Sequence, residues 1–395
     1  MKPIRIAIVG VGNCASSLVQ GIEYYRGVFN RGEEVVGLAR PVLGGYSAGD
    51  IEVVAAIDVD SRKVGKPLNE AIFELPNNTT VFFPEVQNNV KVHMGAILDG
   101  VPIHMEDYPE HQAFRVANDP EATMEDIVDL LKSTGTEVLM NYLPVGSQFA
   151  TEFYAECCLK AGVSLVNCIP VFICSDPAWG KRFESAGIPC IGDDVKAQVG
   201  ATVTHRVLTR MMHERGAKID STYQLNWAGN TDFLNMLERS RLKDKKISKT
   251  QAVQSQLDSP LHEDNVHIGP AEYVAWQNDN KVCALRIEGR GFGGVPYNLE
   301  ARLSVEDSPN SAGETIDAIR ICKIARERNI AGPLYEISAC TMKHPPRQFT
   351  DSQAHEMLEQ FIDSDECMGI YACEVAGHKL PHKLAYNLEN LQAES

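Results

Sequence analysis

The sequence lacks three features that would place it in familiar classes of protein. None of its 11 cysteines forms a Cys-x-x-Cys pair, so zinc ribbons and thioredoxin-like redox sites find no support. No apolar run approaches the roughly 20 residues that span a bilayer, so we expect no membrane contact. Basic residues are few: 37 lysines and arginines against 53 aspartates and glutamates give a net charge of −16, which disfavours nucleic-acid binding.

The composition is that of an ordinary globular protein spread over a long chain. The 395 residues are 44% apolar and 23% charged, and this length favours two domains over one simple core. The first residues pass directly into a predicted strand, so we expect no signal peptide. Free thiols in a reducing cytoplasm are then the simplest expectation for the cysteines.

The first half of the chain alternates predicted strands and helices. Apolar strands are predicted at 4–9, 52–57, 137–142, 164–168 and 189–192. Strands buried on both faces with helices between them predict an α/β fold with a Rossmann-type, doubly wound parallel sheet. Residues 26–50 carry no clean periodicity and are interpreted as an inserted loop, and 75–119 as irregular structure.

The periodicity changes after a helix predicted at 201–215. Segments 222–226, 281–288 and 297–306 alternate apolar and polar residues, which predicts strands of an antiparallel or mixed sheet. The chain is accordingly predicted to divide into a Rossmann-type domain (1–201), an inserted α+β domain (202–307), a helical return to the first domain (308–350) and an acidic C-terminal tail (351–395).

A glycine-rich turn joins the first predicted strand to the first helix. Gly10, Gly12 and Ala15 form the G-x-G-x-x-A variant of the dinucleotide fingerprint, and Asn13 and Cys14 fill the positions between them. Gly10 permits the tight turn, Gly12 lets the backbone approach a pyrophosphate, and the helix N-terminus supplies unpaired N–H groups. A glycine-rich turn in a fold without a cofactor is the alternative interpretation.

An acidic residue ends the second predicted strand. Asp58 follows the glycines at more than the usual spacing of about 20 residues, and the inserted loop accounts for the excess. An acid at this place binds ribose hydroxyls and repels a 2′-phosphate, which favours NAD over NADP. The nearby Arg62 weakens that inference.

Several longer strings resemble the myo-inositol-phosphate synthase family in its shorter prokaryotic form. They are VGNCASSLVQGIEYY, NYLPVGS, PVFICSDPAW, GDDVKAQVGAT, GNTDFLNMLE, KKISKTQAV, DSPNSAG and MKHPP, and they span about residues 4–346. The resemblance implies NAD-dependent conversion of glucose 6-phosphate to inositol 1-phosphate (3-phosphate in the other numbering). The implied steps are oxidation at C5, enolisation, aldol closure of C6 onto C1 and re-reduction, with no net redox change. It also implies a homotetramer, with a subunit contact built by the sheet of the second domain.

The resemblance further implies which residues do the chemistry. Lys245 and Lys343 would stabilise negative charge that develops on the C5 and C1 oxygens. Lys196 would transfer or orient a proton, and Asp279 would orient a lysine, with Lys281 close by. Crowded lysines lower one another's pKa, so that a neutral amine becomes available as a base.

Two features weaken this assignment. Without the resemblance, Lys243, Lys245, Lys246 and Lys249 would be interpreted as a solvated helix face, and the resemblance reverses this for Lys245 but not for Lys243. Longer members of the family carry a further lysine where this chain has Val199 and its neighbours. The division of proton-transfer roles therefore stays open.

Two segments are predicted to bind the substrate phosphate. Ser308 and Pro309 suit the N-cap and first position of a helix, whose N-terminus would be an anion site. A helix start without a ligand is the alternative interpretation. The GNTDFLN segment offers a second set of donors. The predicted substrate-binding residues are Ser308, Asn310, Ser311, Asn230, Thr231 and Asp232.

Further cofactor contacts are expected at the ends of predicted strands. Asn77 and Asn78 resemble a family segment near the cofactor phosphates, and Asp194 would contact the cofactor or a lysine. The segment expected beside the nicotinamide consists of Asn141, Tyr142, Leu143 and Pro144. Family members differ in using ammonium, potassium or divalent ions, so a cation is an open expectation whose ligands the chain does not reveal.

Two other functions compete with the synthase. A two-domain NAD-dependent dehydrogenase of a sugar or semialdehyde would release NADH and use fewer lysines. A non-catalytic NAD sensor would keep the glycines and Asp58 but would not need Lys196, Lys245 and Lys343. The presence of all three lysines within their motifs argues against the sensor.

Overall fold

The secondary structure follows the predicted alternation along the first half of the chain. The structure, a computed structural model, describes residues 2–363, apart from the side chains of residues 270 and 271. Its strands are β1 (Ile4–Val9), β2 (Val42–Leu43), β3 (Tyr46–Ser47), β4 (Ile51–Asp58), β5 (Val92–Met94), β6 (Val138–Asn141), β7 (Ser164–Asn167), β8 (Pro189–Ile191), β9 (Lys218–Ala228), β10 (Val266–Tyr273), β11 (Asn280–Arg290), β12 (Pro296–Glu306) and β13 (Gly332–Pro333). Its helices are α1 (Asn13–Arg31), α2 (Leu68–Ala71), α3 (Met124–Ser133), α4 (Gln148–Ala161), α5 (Pro177–Ser185), α6 (Ala201–Glu214), α7 (Thr231–Asn235), α8 (Lys243–Gln254), α9 (Asp307–Glu327), α10 (Tyr335–Thr341) and α11 (Asp351–Asp363).

Seven strands form the main sheet, in the order β13-β8-β7-β6-β1-β4-β5, and every pairing is parallel. The chain moves outward from β1 through β4 to β5, then returns to the other side of β1 and continues from β6 outward. This is the Rossmann order, and it confirms the predicted α/β class. The direction reverses between β1 and β6, and folds of this kind bind their ligands in the crevice at that point.

Helices cover both faces of the main sheet, so that it separates two apolar cores. On one face Ile6 packs with Leu18 of α1 and Ile319 of α9. On the other face Val9 packs with Leu131 of α3. Because β1 is buried on both sides, its apolar residues form an almost continuous run. Helix α9 follows the second sheet in the sequence yet packs on the first, and this return brings the two sheets together.

The second sheet is mixed, in the order β10-β9-β11-β12. Strand β10 runs parallel to β9, whereas β9 pairs with β11 and β11 with β12 in the antiparallel sense. Helix α6 packs on β9 and β11, and α8 packs on β10. Sequence analysis missed β10, because its VHIGPAEY segment contains a glycine and a proline that are typical of a turn.

Residues 26–50, interpreted from the sequence as an inserted loop, are largely structured. Helix α1 continues through Gly27 and ends before Gly32, whose φ of 65° makes a left-handed C-cap. The β2–β3 hairpin and a 3-10 turn at Ala48–Asp50 fill the rest of the segment. The interpretation was wrong because a glycine-rich composition is typical of loops. Here Gly27 lies within α1, Gly32 caps it and Gly49 lies in the 3-10 turn.

Two expectations near the C-terminus also need correction. Helix α9 begins at Asp307 with Glu306 as its N-cap, so Ser308 is not the N-cap that the sequence suggested. Residues 351–363 of the predicted tail form α11, which buries Ala354 and Met357 against α10. The rest of the tail, 364–395, lies outside the described residues. The predicted domain boundaries stay predictions. No helix within residues 2–363 is long and apolar enough to cross a membrane.

Candidate active site

A cavity lies between the two sheets. Gly12 and Tyr142 line it at the carboxyl ends of β1 and β6, in the crevice where the strand order reverses. Asn226 near the end of β9 and Lys281 at the start of β11 line it from the second sheet. The cavity therefore joins the predicted dinucleotide turn and the predicted lysines in one space.

The turn after β1 has the features that a pyrophosphate requires. Gly10 has a φ of +89°, and a Cβ at this residue would lie 2.6 Å from the carbonyl oxygen of Tyr142, so only glycine fits. A Cβ at Gly12 would meet nothing within 4 Å, so that the backbone there faces open space. No side chain caps the N-terminus of α1, and its first turn has no acidic residue. Open space before free N–H groups fits a dinucleotide.

The helix that follows the turn packs tightly on the sheet. Ala15 is fully buried, as the small third position of the fingerprint requires. Cys14 lines the cavity next to Ser308 and Ser311. Burial, with the negative charges of Asp279 and Asp307, raises the pKa of the Cys14 thiol to about 12, so this cysteine is not a thiolate nucleophile.

Asp58 lies at the end of β4, where the sequence predicts it, and holds the glycine turn in place. Its Oδ2 accepts the N–H of Val11 at 2.6 Å, and its Oδ1 accepts the N–H groups of Val59 and Asp60 at 2.7 and 2.8 Å. A carboxylate has about four acceptor positions. Asp58 thus retains acceptor capacity for a ribose hydroxyl while fixing the turn.

Arg62 does not compete with that role, because its guanidinium is committed elsewhere. It pairs with the buried Asp60, with 2.8 Å between Nε and Oδ1, and donates to the carbonyl oxygens of Ala113 at 2.8 Å and Glu110. A guanidinium held by a carboxylate and two carbonyls is not available to a 2′-phosphate. The expected preference for NAD over NADP stays a prediction.

Asparagines join the cofactor turn to the second sheet. Asn13 accepts the N–H groups of Asn78 at 2.8 Å and Thr79 at 3.2 Å, and Asn78 Nδ2 donates to the carbonyl oxygen of Gly229 at 3.1 Å. Asn77 accepts a hydrogen bond from the buried Lys63 at 2.8 Å. Asn13 and Asn77 line the cavity, whereas Asn78 lies behind them.

Asp279 does not orient a lysine, contrary to the prediction. It forms no ion pair with any lysine in the part of the chain that the structure describes. Its Oδ1 accepts from Asn230 at 2.8 Å, Ser308 Oγ at 3.0 Å and Asn13 at 3.2 Å, and its Oδ2 accepts the Ser308 N–H at 3.0 Å. Burial and repulsion by Asp307 raise the pKa of Asp279 to about 7. Asp279 therefore ties the cofactor turn to the second sheet and α9.

Five lysines reach the cavity from segments far apart in the sequence. They are Lys196 after β8, Lys245 and Lys249 on α8, Lys281 on β11 and Lys343 after α10. Four of them are paired with carboxylates: Lys245 with Asp232 at 2.8 Å, Lys281 with Asp307 at 3.0 Å, Lys343 with Asp194 at 2.9 Å and Lys196 with Asp351 at 3.7 Å. The acids that orient these lysines are thus different from the predicted one.

The neighbouring charges divide the lysines into more and less basic groups. Burial, helped by the charges of Lys281 and Lys245, lowers the pKa of Lys343 despite the opposing charge of Asp194. Burial would also lower the pKa of Lys281, but the charge and hydrogen bond of Asp307 outweigh it, and the pKa rises. Lys281 is therefore a fixed cation, while Lys343 loses its proton more readily.

Asp194 connects Lys343 to α8. Its Oδ1 accepts from Lys343, and its Oδ2 accepts from Ser248 Oγ at 2.5 Å. The positive φ of Asp194, 61°, turns its backbone so that its carbonyl oxygen accepts the N–H of Lys343 at 2.7 Å. The predicted contact of Asp194 with a lysine is present in the structure.

Lys249 is a candidate that sequence analysis did not select. Its side chain is only 6% exposed, and it forms no hydrogen bond or ion pair with any residue in 2–363. Burial and the charges of Lys245, Lys281 and Lys343 lower its pKa well below the ordinary value, which favours the neutral amine. The available signal was its spacing of four residues from Lys245, which places both on one helix face.

The N-terminus of α9 is a poorer anion site than the sequence suggested. The N–H and hydroxyl of Ser308 are both used by Asp279, and Asp307 adds a negative charge at the same helix end. Ser311 lines the cavity, but the side chain of Asn310 points away from it. Asn310 Nδ2 donates to the carbonyl oxygen of Val199 at 2.6 Å, and Asn310 Oδ1 accepts the N–H of Val199 at 2.9 Å. Little donor capacity remains here for a phosphate.

The N-terminus of α6 has the properties that α9 lacks. Its N-cap is Gly200, no side chain caps it, and its first turn has no acidic residue. Residues 200–203 line the cavity, as does Lys249. N–H groups without a capping side chain, at the positive end of a 14-residue helix that faces the cavity, are suited to bind an anion.

Comparisons with known proteins agree on one family. The family model for myo-inositol-1-phosphate synthase matches residues 200–308. The chain is 52% identical over 364 residues to inositol-3-phosphate synthase of Mycolicibacterium smegmatis, covering 91% of this chain and 98% of that protein. It is 51% identical over 367 residues to the same enzyme of Corynebacterium glutamicum, with the same two shares. The chain belongs to the inositol-3-phosphate synthase family.

A solved structure supports this family assignment. The crystal structure of a myo-inositol-1-phosphate synthase-related protein from Thermotoga maritima aligns with a TM-score of 0.75 at 25% identity, covering 91% of this chain and 98% of that one. The predicted membership of the synthase family is confirmed, and with it the prediction that the chain is an isomerase-type enzyme.

The remaining predicted residues divide between the cavity and its support. Tyr142, Leu143 and Pro144 line the cavity, whereas Asn141 is buried behind them and donates to Asn167 at 2.9 Å. The second donor set, Asn230, Thr231 and Asp232, lines the cavity as well. Within residues 2–363 no group of three or more His, Cys, Asp or Glu side chains is placed to hold a metal ion, and the cation stays unassigned.

Proposed function

We propose that this synthase-family enzyme converts D-glucose 6-phosphate to 1D-myo-inositol 3-phosphate, the first step of inositol biosynthesis, with NAD and without net redox change. The observation that carries the proposal is the convergence of five lysines on one cavity beside an open dinucleotide turn. NAD, when bound, accepts a hydride from C5 of the sugar and returns it at the end. The protein's own groups are proposed to bind the sugar, stabilise the developing charge and move the protons, and the expected cation stays unassigned.

The cofactor is proposed to lie with its pyrophosphate at Gly12 and the N-terminus of α1. Asp58 would accept from the adenosine ribose. The commitment of Arg62 to Asp60 supports NAD over NADP, since no free cation at this place awaits a 2′-phosphate. Tyr142, together with Leu143 and Pro144, would border the nicotinamide, because these residues line the cavity beside the crevice.

The substrate phosphate is proposed to lie at the N-terminus of α6. This replaces the site at Ser308 and Asn310 that the sequence suggested, because those groups already serve Asp279 and Val199. Lys281, held in its charged form by Asp307, would counter the negative charge of the substrate. Burial of these groups would strengthen each of the interactions, because charges attract more strongly where the surroundings are less polar than water.

The other lysines are proposed to handle the developing charge and the protons. Lys245 and Lys343, each oriented by a carboxylate, would stabilise the oxygens that become negative in the enolate and aldol steps. Lys249 is suited to remove a proton, because it is buried, unpaired and favoured as the neutral amine. Lys196, whose pKa burial and the charge of Arg206 lower to about 8, would orient or relay a proton.

We also propose that the enzyme is a homo-oligomer, with a tetramer as the expected state, and that it is cytoplasmic. Tyr223 and Leu225 alternate with buried residues along β9 and stay exposed, and Phe292 and Val295 are exposed in the β11–β12 turn. These apolar side chains support a subunit contact on the second sheet. Sedimentation of the purified protein and of a Leu225→Asp variant would test it; a monomeric parent would contradict it.

Phosphorus NMR with absorbance at 340 nm tests the reaction. The purified protein is given glucose 6-phosphate and NAD at a hundredth of the substrate concentration. We expect a new phosphomonoester that co-migrates with inositol phosphate, formed in large excess over NAD, with no lasting NADH. Substrate loss matched one-for-one by NADH would instead show a plain dehydrogenase and overturn the proposal.

A further inference from the structure

Arg206 on α6 is, with Arg320, one of the two largest fully buried side chains among the described residues, and it lies outside the cavity. Its Nη1 donates to the carbonyl oxygen of Ala252 at 2.6 Å, and its Nη2 to that of Phe349 at 3.0 Å. Its Nη2 also donates to Oδ1 of Asp351 at 2.8 Å, and its Nε faces the same carboxylate. One guanidinium thus connects α6, α8, the segment after Lys343 and the first residue of α11.

Each of these connections reaches a segment that carries a cavity lysine. Ala252 lies in the last turn of α8, where carbonyl oxygens have no partner within the helix, and Lys249 is one turn earlier. Gln348 accepts from Arg206 at 3.5 Å and donates to the carbonyl oxygen of Lys343 at 2.8 Å. Asp351 Oδ1 lies 3.7 Å from Nζ of Lys196.

We propose that Arg206 and Asp351 form a positioning pair, which sets the three lysine-bearing segments around the cavity and makes α11 part of the catalytic apparatus. This inference rests on the proposed function, since the lysines matter only if they carry the reaction. Neither residue touches the cavity, so the pair acts through Lys196, Lys249 and Lys343.

The chemistry of the pair explains why an arginine stands here. A planar guanidinium presents five donors in a fixed fork, so it holds two carbonyls and a carboxylate at once, which a lysine ammonium cannot do with the same geometry. Removing one member of a buried ion pair leaves the other charge uncompensated. The segments that Arg206 connects would then shift relative to one another, and a misplacement of about 1 Å can cost about 100-fold in rate.

The pair also sets the charge state of Lys196. The charged or titratable groups that face this ammonium are Arg206 from α6, Asp351 from α11, Cys340 from α10 and Glu314 from α9. Burial and Arg206 lower the pKa of Lys196, and Asp351 is the first of the groups that raise it. Removing the charge of Asp351 therefore lowers the pKa of Lys196 further below about 8.

The experiment compares Asp351→Asn with Glu356→Gln in the full-length, NAD-saturated enzyme. Glu356 is exposed on the same helix and makes only a 3.5 Å contact with Gln360, so its variant removes an equal charge without touching Arg206. The measurements are kcat, KM, the pH profile of kcat/KM and hydrogen exchange of residues 243–254 and 342–350. Hydrogen exchange needs no turnover, so it tests the pair even if the parent enzyme proves inactive on glucose 6-phosphate. Parent inactivity would contradict the proposed function alone.

For Asp351→Asn we expect kcat to fall about 10- to 100-fold, with KM changed far less. In the pH profile of kcat/KM, the transition that reports the pKa of Lys196 should move about one pH unit lower. Hydrogen exchange should become faster in residues 243–254 and 342–350. Glu356→Gln should match the parent. Parental kcat in Asp351→Asn, or a lower kcat with no movement of that transition and no change in exchange, would overturn the proposal.

If Asp351→Asn does not fold, Gln348→Ala decides the matter. Gln348 is half-buried and uncharged, so its loss leaves the pair of Arg206 and Asp351 intact while cutting the link from Arg206 to Lys343. We expect a several-fold lower kcat and faster exchange of 342–350, with NAD affinity unchanged. Parental values of both kcat and exchange would overturn the proposal.

Discussion

The two ends of the cavity are built by opposite means. The cofactor end is made of backbone: Gly10, Gly12 and the N-terminus of α1 present N–H groups and empty space, and Asp58 holds the turn through main-chain N–H groups. The lysine end is made of side-chain charges that come from four separate segments. A site made of backbone depends on local sequence, whereas a site made of charges depends on how distant segments pack.

The largest effect should come from breaking the lysine end. We expect Lys343→Ala to lower kcat by about 1000-fold, because it removes a cation aimed at developing negative charge and leaves Asp194 without its partner. NAD affinity, measured by titration of intrinsic fluorescence, should stay within a factor of about two. The exposed Lys160→Ala is the matched control. Turnover within tenfold of the parent would remove Lys343 from the mechanism.

A second variant separates a buried lysine from a solvated neighbour on the same helix. Lys249→Met should lower kcat/KM by about 100-fold or more, since a general base contributes about 100- to 10,000-fold. Lys246→Met, exposed on the same helix, should leave it unchanged. Equal effects of the two substitutions would contradict a catalytic role for Lys249 and would support the alternative interpretation, in which the lysines of α8 form a solvated helix face.

Lys249→Met should also raise the melting temperature, in a pH-dependent way. The pKa of Lys249 is lowered on folding, so the unfolded chain binds more protons between that lowered value and about 10.5, and stability rises with pH there. Lys249→Met removes the destabilisation that the buried lysine causes below about pH 10.5. The increase in melting temperature over the parent should therefore be larger at pH 7 than at pH 10. A variant less stable than the parent at both pH values would contradict the assignment of Lys249 as a neutral amine.

The sequence predicted the cofactor end of the cavity, and the sheet that carries it, better than the lysine end. Five of the seven parallel strands were predicted closely, because burial on both faces makes them continuous apolar runs, whereas the short edge strands β5 and β13 were missed. The glycine turn between β1 and α1 was also predicted, since it occupies one strand-to-helix junction, and its role in cofactor binding stays a prediction. β10 was missed because Gly269 and Pro270 resemble a turn, and the end of α1 because Gly27 lies within the helix.

The lysine end was predicted only through family resemblance, and only in part. Lys249 looks like its solvated neighbours until α6, α8 and the second sheet bury it. The same holds for Asp307, which adjoins the predicted Ser308 in the sequence but is seen to pair with Lys281 only in three dimensions. The position of the α6 N-terminus at the cavity was missed because a helix start after Gly200 does not indicate which space it faces. Charges acquire their roles from packing, which local sequence does not contain.

Paired glycine variants sharpen the description of the cofactor end. Gly12→Ala should fold with the parental melting temperature, since its Cβ meets no protein atom, but should weaken NAD binding about 10-fold or more by filling the pyrophosphate space. Gly10→Ala should lose NAD binding and several degrees of melting temperature together, because its Cβ meets the Tyr142 backbone at 2.6 Å and its φ is +89°. Parental NAD affinity in Gly12→Ala would place the pyrophosphate elsewhere.

The smallest expected effect concerns Asp279, where the two ends meet. Burial and Asp307 raise its pKa from 3.8 to about 7, so the folded protein binds more protons than the unfolded chain between these values. Its contribution to stability is therefore present at low pH and is lost as the pH rises toward 7. Asp279→Asn cannot ionise, so the fall in melting temperature between pH 4.5 and pH 7.5 should be shallower than in the parent, though the variant loses an acceptor of the Ser308 N–H and should be less stable at the acidic end. An unchanged slope would mean that Asp279 stays ionised throughout, and that its ties to Asn13, Asn230 and Ser308 compensate fully for its burial.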